Sequence, residues 1–207
     1  MNPVFRPLLV VVEGVHDVKF LKTISAVLNI FEAALPSLAD GERRGEIVFL
    51  ANGGVSSPEQ AQQLAWLGCS RFHLIDREVP PETVYRENTA TALNALPNCV
   101  AFVTGKRSLE NYLHPQAILE ARGVAVSFDD DEDVGSLVAQ ELHRRRNSPI
   151  AWEDLDRRTK KRLRNRAKRW LNAEAAGRMT PELLAERDPE GEVRGWLAVI
   201  AKLTGGE

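Results

Sequence analysis

Apolar and polar positions along this chain follow two successive patterns. Up to about residue 125, short aliphatic runs alternate with helical spacing. Leu8–Val12 (LLVVV) holds five consecutive aliphatic residues, β-branched valine dominating, and reads as a strand buried on both faces, as in parallel sheets. Residues 46 to 50 (EIVFL), 71 to 76 (RFHLID) and 99 to 103 (CVAFV) read as three further strands. Val18, Phe20, Leu21, Ile24, Val27 and Leu28 recur at helical spacing and predict a helix over about residues 16 to 28. Ser57, Pro58 and Gln60 spell a helix start, with Ser57 as cap, proline in the first turn and Gln60 closing a capping box. That helix is expected to reach about Leu67, where Gly68 stops it. A charged turn from Thr104 enters a helix continuing over residues 115 to 121. Residues 36 to 45 (PSLADGERRG) read as a polar loop, and residues 79 to 98, with Pro80, Pro81 and Pro97, as an irregular insertion. Strand and helix alternate four times, the pattern of an α/β fold with a doubly wound, mainly parallel four-stranded sheet.

From Asp129 onward the pattern is helical throughout. Helices are predicted over about residues 134 to 146, 151 to 175, 181 to 186 and 192 to 203. Their apolar positions, among them Leu137, Val138, Leu142, Trp152, Leu155, Leu163, Trp170 and Leu171, predict helices packed on the α/β body. The organisation expected is therefore an α/β unit over residues 1 to 125 and a helical C-terminal extension over 126 to 207.

Composition narrows this little: 207 residues, 43% hydrophobic and 27% charged, suit one well-buried globular unit with an appendage. Cys69 and Cys99 have no paired CxxC spacing, which argues against a disulfide framework or a zinc site and for buried thiols in a reducing compartment. A carboxylate ends the N-terminal apolar run and no small-residue cleavage site follows it. No apolar stretch approaches the ~20 residues that span a bilayer. A cytoplasmic protein without a membrane partner is expected. The net charge of −2 conceals an asymmetry: acids such as Asp129 to Asp133 precede the strongly basic stretch from Arg144 to Arg169.

Candidate chemistry gathers at strand ends. Glu13 ends the first strand and is followed by Gly14; Asp17 lies four residues on, at a helix start, able to point back to the same edge. Asp76 and Glu78 end the third strand, and in extended backbone both point to one side. Ligands of open α/β sheets bind beyond the carboxyl ends of the strands. Carboxylates converging there repel and raise one another's pKa. A hard divalent cation, Mg²⁺ or Mn²⁺, relieves this, and such an ion supports phosphoryl transfer. Taken singly, each acid also reads as a helix cap or a surface charge; the joint pattern is far more specific.

EGVHD after an apolar strand, the acid-x-acid pair of Asp76 and Glu78, and their spacing resemble a TOPRIM domain, the Rossmann-like fold shared by topoisomerases, bacterial primases and OLD-family (overcoming lysogenization defect) nucleases. Lys106-Arg-Ser-Leu-Glu-Asn-Tyr-Leu is similar to a stretch of the OLD branch, and the resemblance covers roughly residues 7 to 122. It implies a metal-dependent nuclease acting on nucleic acid, DNA above all, in a mobile-element or phage-defence setting with a separate ATPase. By motif position Glu13 is implied as metal ligand or general base, Asp17 as an additional ligand, and Asp76 as the principal ligand. Glu78 stands where the family has aspartate. Glu110 is implied as a further carboxylate, or else as a first-turn acid favoured by the helix dipole. Lys106 or Arg107 is implied to stabilise developing phosphate charge. The chain departs from the family in lacking a preceding ATPase domain, and Thr104 to Ser108 lack the first glycine of a phosphate loop, Val100 standing there.

Residues 157 to 169 (RRTKKRLRNRAKR) place cations around much of a helix, more than nearby acids balance. Arg158, Lys160, Lys161, Arg164 and Lys168, with Arg107, are expected to bind a phosphate backbone; the plainer reading is a solvated face neutralised by residues 129 to 133. Trp152 and Trp170 read as core anchors ahead of base-stacking platforms. Two further readings stand beside the nuclease: a nucleic-acid-binding or regulatory module weakened by the Asp-to-Glu change, and a primase-like nucleotidyl transferase.

Overall fold

The structure, a computed structural model, describes residues 6 to 53 and 57 to 205; Gly54, expected in the turn after the second strand, lies outside them. The four aliphatic runs form strands β1 (Leu8–Val12), β2 (Ile47–Ala51), β3 (Arg71–Ile75) and β4 (Cys99–Val103) of one parallel sheet in the order β2-β1-β3-β4. β1 and β3 are buried throughout, which is why they appear as unbroken apolar runs, whereas the edge strand β2 leaves Val48 and Leu50 exposed. Parallel neighbours need crossovers. Helices α1 (Val15–Phe31) and α2 (Leu38–Arg43) link β1 to β2, α3 (Pro58–Gln63) links β2 to β3, and α4 (Glu82–Asn94) links β3 to β4. The fold class is thus α/β and Rossmann-like, with a helical C-terminal region of α5 (Pro115–Arg122), α6 (Val134–Arg145), α7 (Arg157–Trp170), α8 (Pro181–Arg187) and α9 (Glu192–Thr204).

The period-2 alternation of the strands sorts the core into two sides. Leu8, Val10, Val12, Phe72 and Leu74 pack with Phe20, Leu21, Ile24 and Leu28 of α1 and with Tyr112, Trp170, Trp196, Leu197 and Ile200. The sheet and the C-terminal helices therefore share one core. Leu9 and Val11 face the other way onto Leu64, Leu67 and Cys69, while Ile75 and Ala101 pack with Ala61, Ala90 and Leu93.

Four elements differ from the sequence reading. Residues 38 to 43 are helical within the expected loop, because Leu38 is fully buried and Gly41 packs so closely on Ile47 that a Cβ would lie 2.9 Å from its Cδ1. Residues 82 to 94 form α4 within the expected irregular insertion; one narrow stripe, Ala90 and Leu93 with Thr89, is buried, and Val84 and Tyr85 are left exposed. The helix expected over residues 151 to 175 starts at Arg157, capped by Asp156, and after Trp170 widens into a π turn (Leu171–Ala175). Ser57 caps α3 as expected, but that helix gives way to a 3₁₀ turn (Ala65–Leu67) closed by Gly68 at φ 60°. Among the described residues no helix is long and apolar enough to cross a membrane.

Candidate functional site

The chain leaves β1 for β2 on one side and reaches β3 on the other, so the switch point of the sheet lies between β1 and β3. Glu13 and Asp76 are the first residues beyond these two strands, and the Asp76 backbone N–H supports the Glu13 carboxylate. Asp17, in the first turn of α1, accepts a 2.7 Å hydrogen bond from the Gly14 N–H, which turns its carboxylate back toward the sheet edge. Glu110 arrives from a 3₁₀ turn (Leu109–Tyr112) and is completely buried.

Burying like charges together shifts their proton affinities. The Asp76 carboxyl is raised well above its ordinary range by burial and then by Asp17, with Glu13 and Glu110 adding. Burial and Glu110 push Asp17 up to about 7. Burial also raises Glu13, against the opposing charge of Arg86. Glu110 goes the other way: burial works to raise it, but Lys168 and hydrogen bonds from Asn172, Lys168 and Ser108 hold it low.

Lys168 is the group that makes this burial possible. It reaches in from α7 to 2.9 Å from Glu110, its side chain 16% exposed. Burial disfavours its charge, yet Glu110 and Asp76 outweigh that and hold its pKa above the usual lysine range. Asn172 donates to the other oxygen of Glu110 at 2.7 Å, and Ser108 Oγ lies 2.9 Å from the Lys168-bound one. Lys168 was expected on an exposed phosphate-binding face and is instead the counter-ion of the acidic centre. The signal lay in the helical spacing: Lys168 precedes the buried Leu171 and Asn172 by three and four residues, on one stripe with them.

The other predicted residues divide. Glu78 is not in extended backbone; it adopts φ 57°, its N–H donates to the Arg107 carbonyl at 2.9 Å, and its carboxylate lies 3.4 Å from the Arg107 guanidinium. Its charge still raises Glu13, so it flanks the centre. Lys106 is paired with Asp130 at 2.7 Å and lies over the Tyr112 ring, not against the carboxylates. Arg107 is occupied by Glu78 and the Asp131 carbonyl. Sequence reasoning missed Arg86, which leans from α4 into an ion pair with Glu13; it lay in the stretch read as irregular.

Along α7, Arg158 and Lys161 line a shallow cleft of about 1030 Å³ together with Arg162, Arg166 and Arg169, all exposed. Lys160 donates to the Glu153 carbonyl and Arg164 pairs with Asp133 at 3.1 Å, so the acidic run neutralises one flank of the helix but not its outer face. Trp170 is buried in the core, with Arg122 over its ring, and Trp152 packs edge-on against His143. His16 is lowered by burial, against the opposing charge of Glu110 and with Lys168 and Arg169 adding.

Among the described residues no group of three or more His, Cys, Asp or Glu side chains stands at metal-binding spacing. The donor chemistry nonetheless suits a hard cation: acidic oxygens without sulfur, buried close together, with the proton affinity of Asp17 and Asp76 raised by burial and by neighbouring carboxylates. No family model, curated protein or solved structure matches this chain.

Proposed function

We propose that this chain is a divalent-cation-dependent nuclease of the TOPRIM kind, cutting nucleic-acid phosphodiester bonds at the edge between β1 and β3. One observation carries the reading. The helix that inserts Lys168 among Glu13, Asp17, Asp76 and Glu110 presents Arg158, Lys161, Arg162, Arg166 and Arg169 to solvent, so a polyanion lying on α7 would be delivered to the carboxylates. Bare carboxylates would repel a phosphate there. Glu13, Asp17 and Asp76 would hold Mg²⁺ or Mn²⁺, which when bound supplies an activated water and neutralises phosphate charge. Lys168 keeps Glu110 ionised and lends positive charge to the centre; Arg158, Lys161, Arg162 and Arg166 bind the backbone. A separate ATPase remains the partner that the resemblance implies.

The test is cleavage of supercoiled, linear and single-stranded DNA and of RNA in Mg²⁺ or Mn²⁺, with Asp76→Ala and Glu13→Ala alongside and their folding checked. Turnover lost in both variants supports the reading; turnover surviving both overturns it. A second reading, a binding module without turnover, is favoured by the way Arg86 and Lys168 already neutralise Glu13 and Glu110. Salt-sensitive binding with no turnover in either metal would establish that one.

A further inference from the structure

On the side of the sheet away from α7, a cleft of about 220 Å³ lies between α3 and the strands. Val11, Leu50 and Leu64 form its apolar walls, Gln60 and Gln63 stand at its rim, and His73 of β3 forms its floor. His73 is 1% exposed, and neither ring nitrogen has a hydrogen-bond partner among the described residues. A buried polar group without a partner costs about 1–3 kcal/mol (a penalty that a ligand or ordered water removes), so the observation asks for an occupant.

Three properties limit what that occupant can be. Among the described residues no Asp, Glu, Lys or Arg lines the cleft, so an ion is not its ligand. A neutral imidazole offers one donor and one acceptor, the Gln63 amide offers both, and Gln60, whose amide oxygen already accepts from the Ser57 N–H, offers its amide N–H groups, so the ligand carries donors and acceptors on one edge. The volume falls below the ~300–1,000 Å³ of sites for drug-sized molecules, yet it exceeds several times the roughly 30 Å³ share of one water. Flat apolar faces with a hydrogen-bonding edge at that size describe a single heterocyclic ring system.

The position supplies the rest. Val11 and His73 lie two and three residues upstream of Glu13 and Asp76, so at ~3.3 Å per residue the cleft sits roughly 7–10 Å below the acidic edge. That is within reach of a nucleotide whose phosphate lies at the edge. We propose that this cleft binds a nucleobase, read by His73 and the two glutamines and held between Val11, Leu50 and Leu64. In naming a base of the cleaved strand as occupant, the inference deepens the nuclease reading and rests on it; binding of a free nucleoside does not. Extruded bases are held in other enzymes by the same combination of edge hydrogen bonds and apolar stacking.

The experiment measures binding, without metal, on the full chain. Imidazole resonances of His73 are followed by NMR in EDTA while adenosine, guanosine, cytidine and thymidine are added singly, then short single strands with and without one abasic site. The expected result is saturable perturbation of His73 by at least one nucleoside, lost in His73→Phe and weakened about tenfold in Gln63→Leu, the scale of one good base-edge hydrogen-bonded pair. Gln63 is exposed, so that variant carries the test if His73→Phe does not fold. Comparable affinity for nucleoside and strand identifies a free small molecule, and a preference for the base-bearing strand over the abasic one identifies a substrate base; both support the proposal. If no nucleoside or strand moves His73, the cleft holds only water and the proposal falls, and binding undiminished in Gln63→Leu and His73→Phe sinks it equally. Nucleoside binding by a chain that never cleaves removes the nuclease and leaves the base site; cleavage without His73 perturbation does the reverse.

Discussion

The acidic edge and the outer face of α7 are both clusters of like charge, and the protein treats them in opposite ways. Asp17, Asp76 and Glu110 are each under 10% exposed; burial and then neighbouring carboxylates raise the proton affinity of Asp17 and Asp76, while Lys168 holds Glu110 low. Arg158, Lys161, Arg162 and Arg166 face solvent, where water and salt screen them from one another. Buried charge must be compensated from within, and Lys168 does so. Exposed charge can wait for a partner from outside. One helix carries both solutions, which ties the site's stability to the same segment that would bind its substrate.

The largest expected effect comes from deleting the compensating charge. Lys168→Met leaves Glu110 and Asp76 buried without their cation, and removing one partner of a buried pair costs about 3–5 kcal/mol. Denaturant titration should show that loss, and Lys168→Met combined with Glu110→Gln should recover part of it. Equal stability of Lys168→Met and the parent would mean that the edge is not electrostatically coupled to α7.

Asp76→Asn separates chemistry from folding at the same place. It removes a charge that burial and Asp17 disfavour, so stability should hold or rise. Turnover should fall on the order of 10²–10³-fold, the scale of losing one preorganised electrostatic group. A variant that is less stable yet fully active would contradict both assignments.

The next effect is a slope with pH. Asp17 and Asp76 bind protons more tightly in the folded than in the unfolded chain. Their contribution to stability is therefore fully present below about pH 4, the unfolded carboxylate range, and is lost as pH rises through the folded value, about 7 for Asp17. Thermal midpoints in EDTA should decline over that window by an amount equivalent to roughly 1–3 kcal/mol. Asp17→Asn should flatten the decline, and millimolar Mg²⁺ or Mn²⁺ should offset it above pH 7 by binding the folded state. Midpoints that climb over this window in EDTA would show that the acids are not raised as a set.

How much of this was legible beforehand follows from the range of each interaction. β1 and β3 were readable because burial on both faces writes itself as an uninterrupted apolar run, and Ser57 as a cap because its bonds are local. Glu13, Asp17 and Asp76 were readable because strand ends in a parallel sheet converge by topology. α4 was not, since one buried stripe and a proline-rich approach resemble a loop. Nor was the pairing of Lys168 with Glu110, 58 residues apart by their numbers, which depends on how α7 packs. Lys106 shows the converse: a basic residue in a suggestive motif was drawn to Asp130, a closer acid that spacing alone does not reveal.

The smallest effect tests the other half of the comparison. Arg162→Ala and Arg166→Ala remove cations that carry no ion pair within the described chain, so each should change stability by no more than about 0.5 kcal/mol. Their effect should appear only when a polyanion is present. Removing one cation that neutralises a phosphate should lower the slope of log affinity against log salt by about 1, with the weakening nearly uniform across sequences. Arg164→Ala is the internal control, because its guanidinium already pairs with Asp133; it should cost some stability and change the slope less. If Arg164→Ala instead gave the larger slope change, the binding face would be the flank of α7 toward α6, and strands would approach the acidic edge from that side.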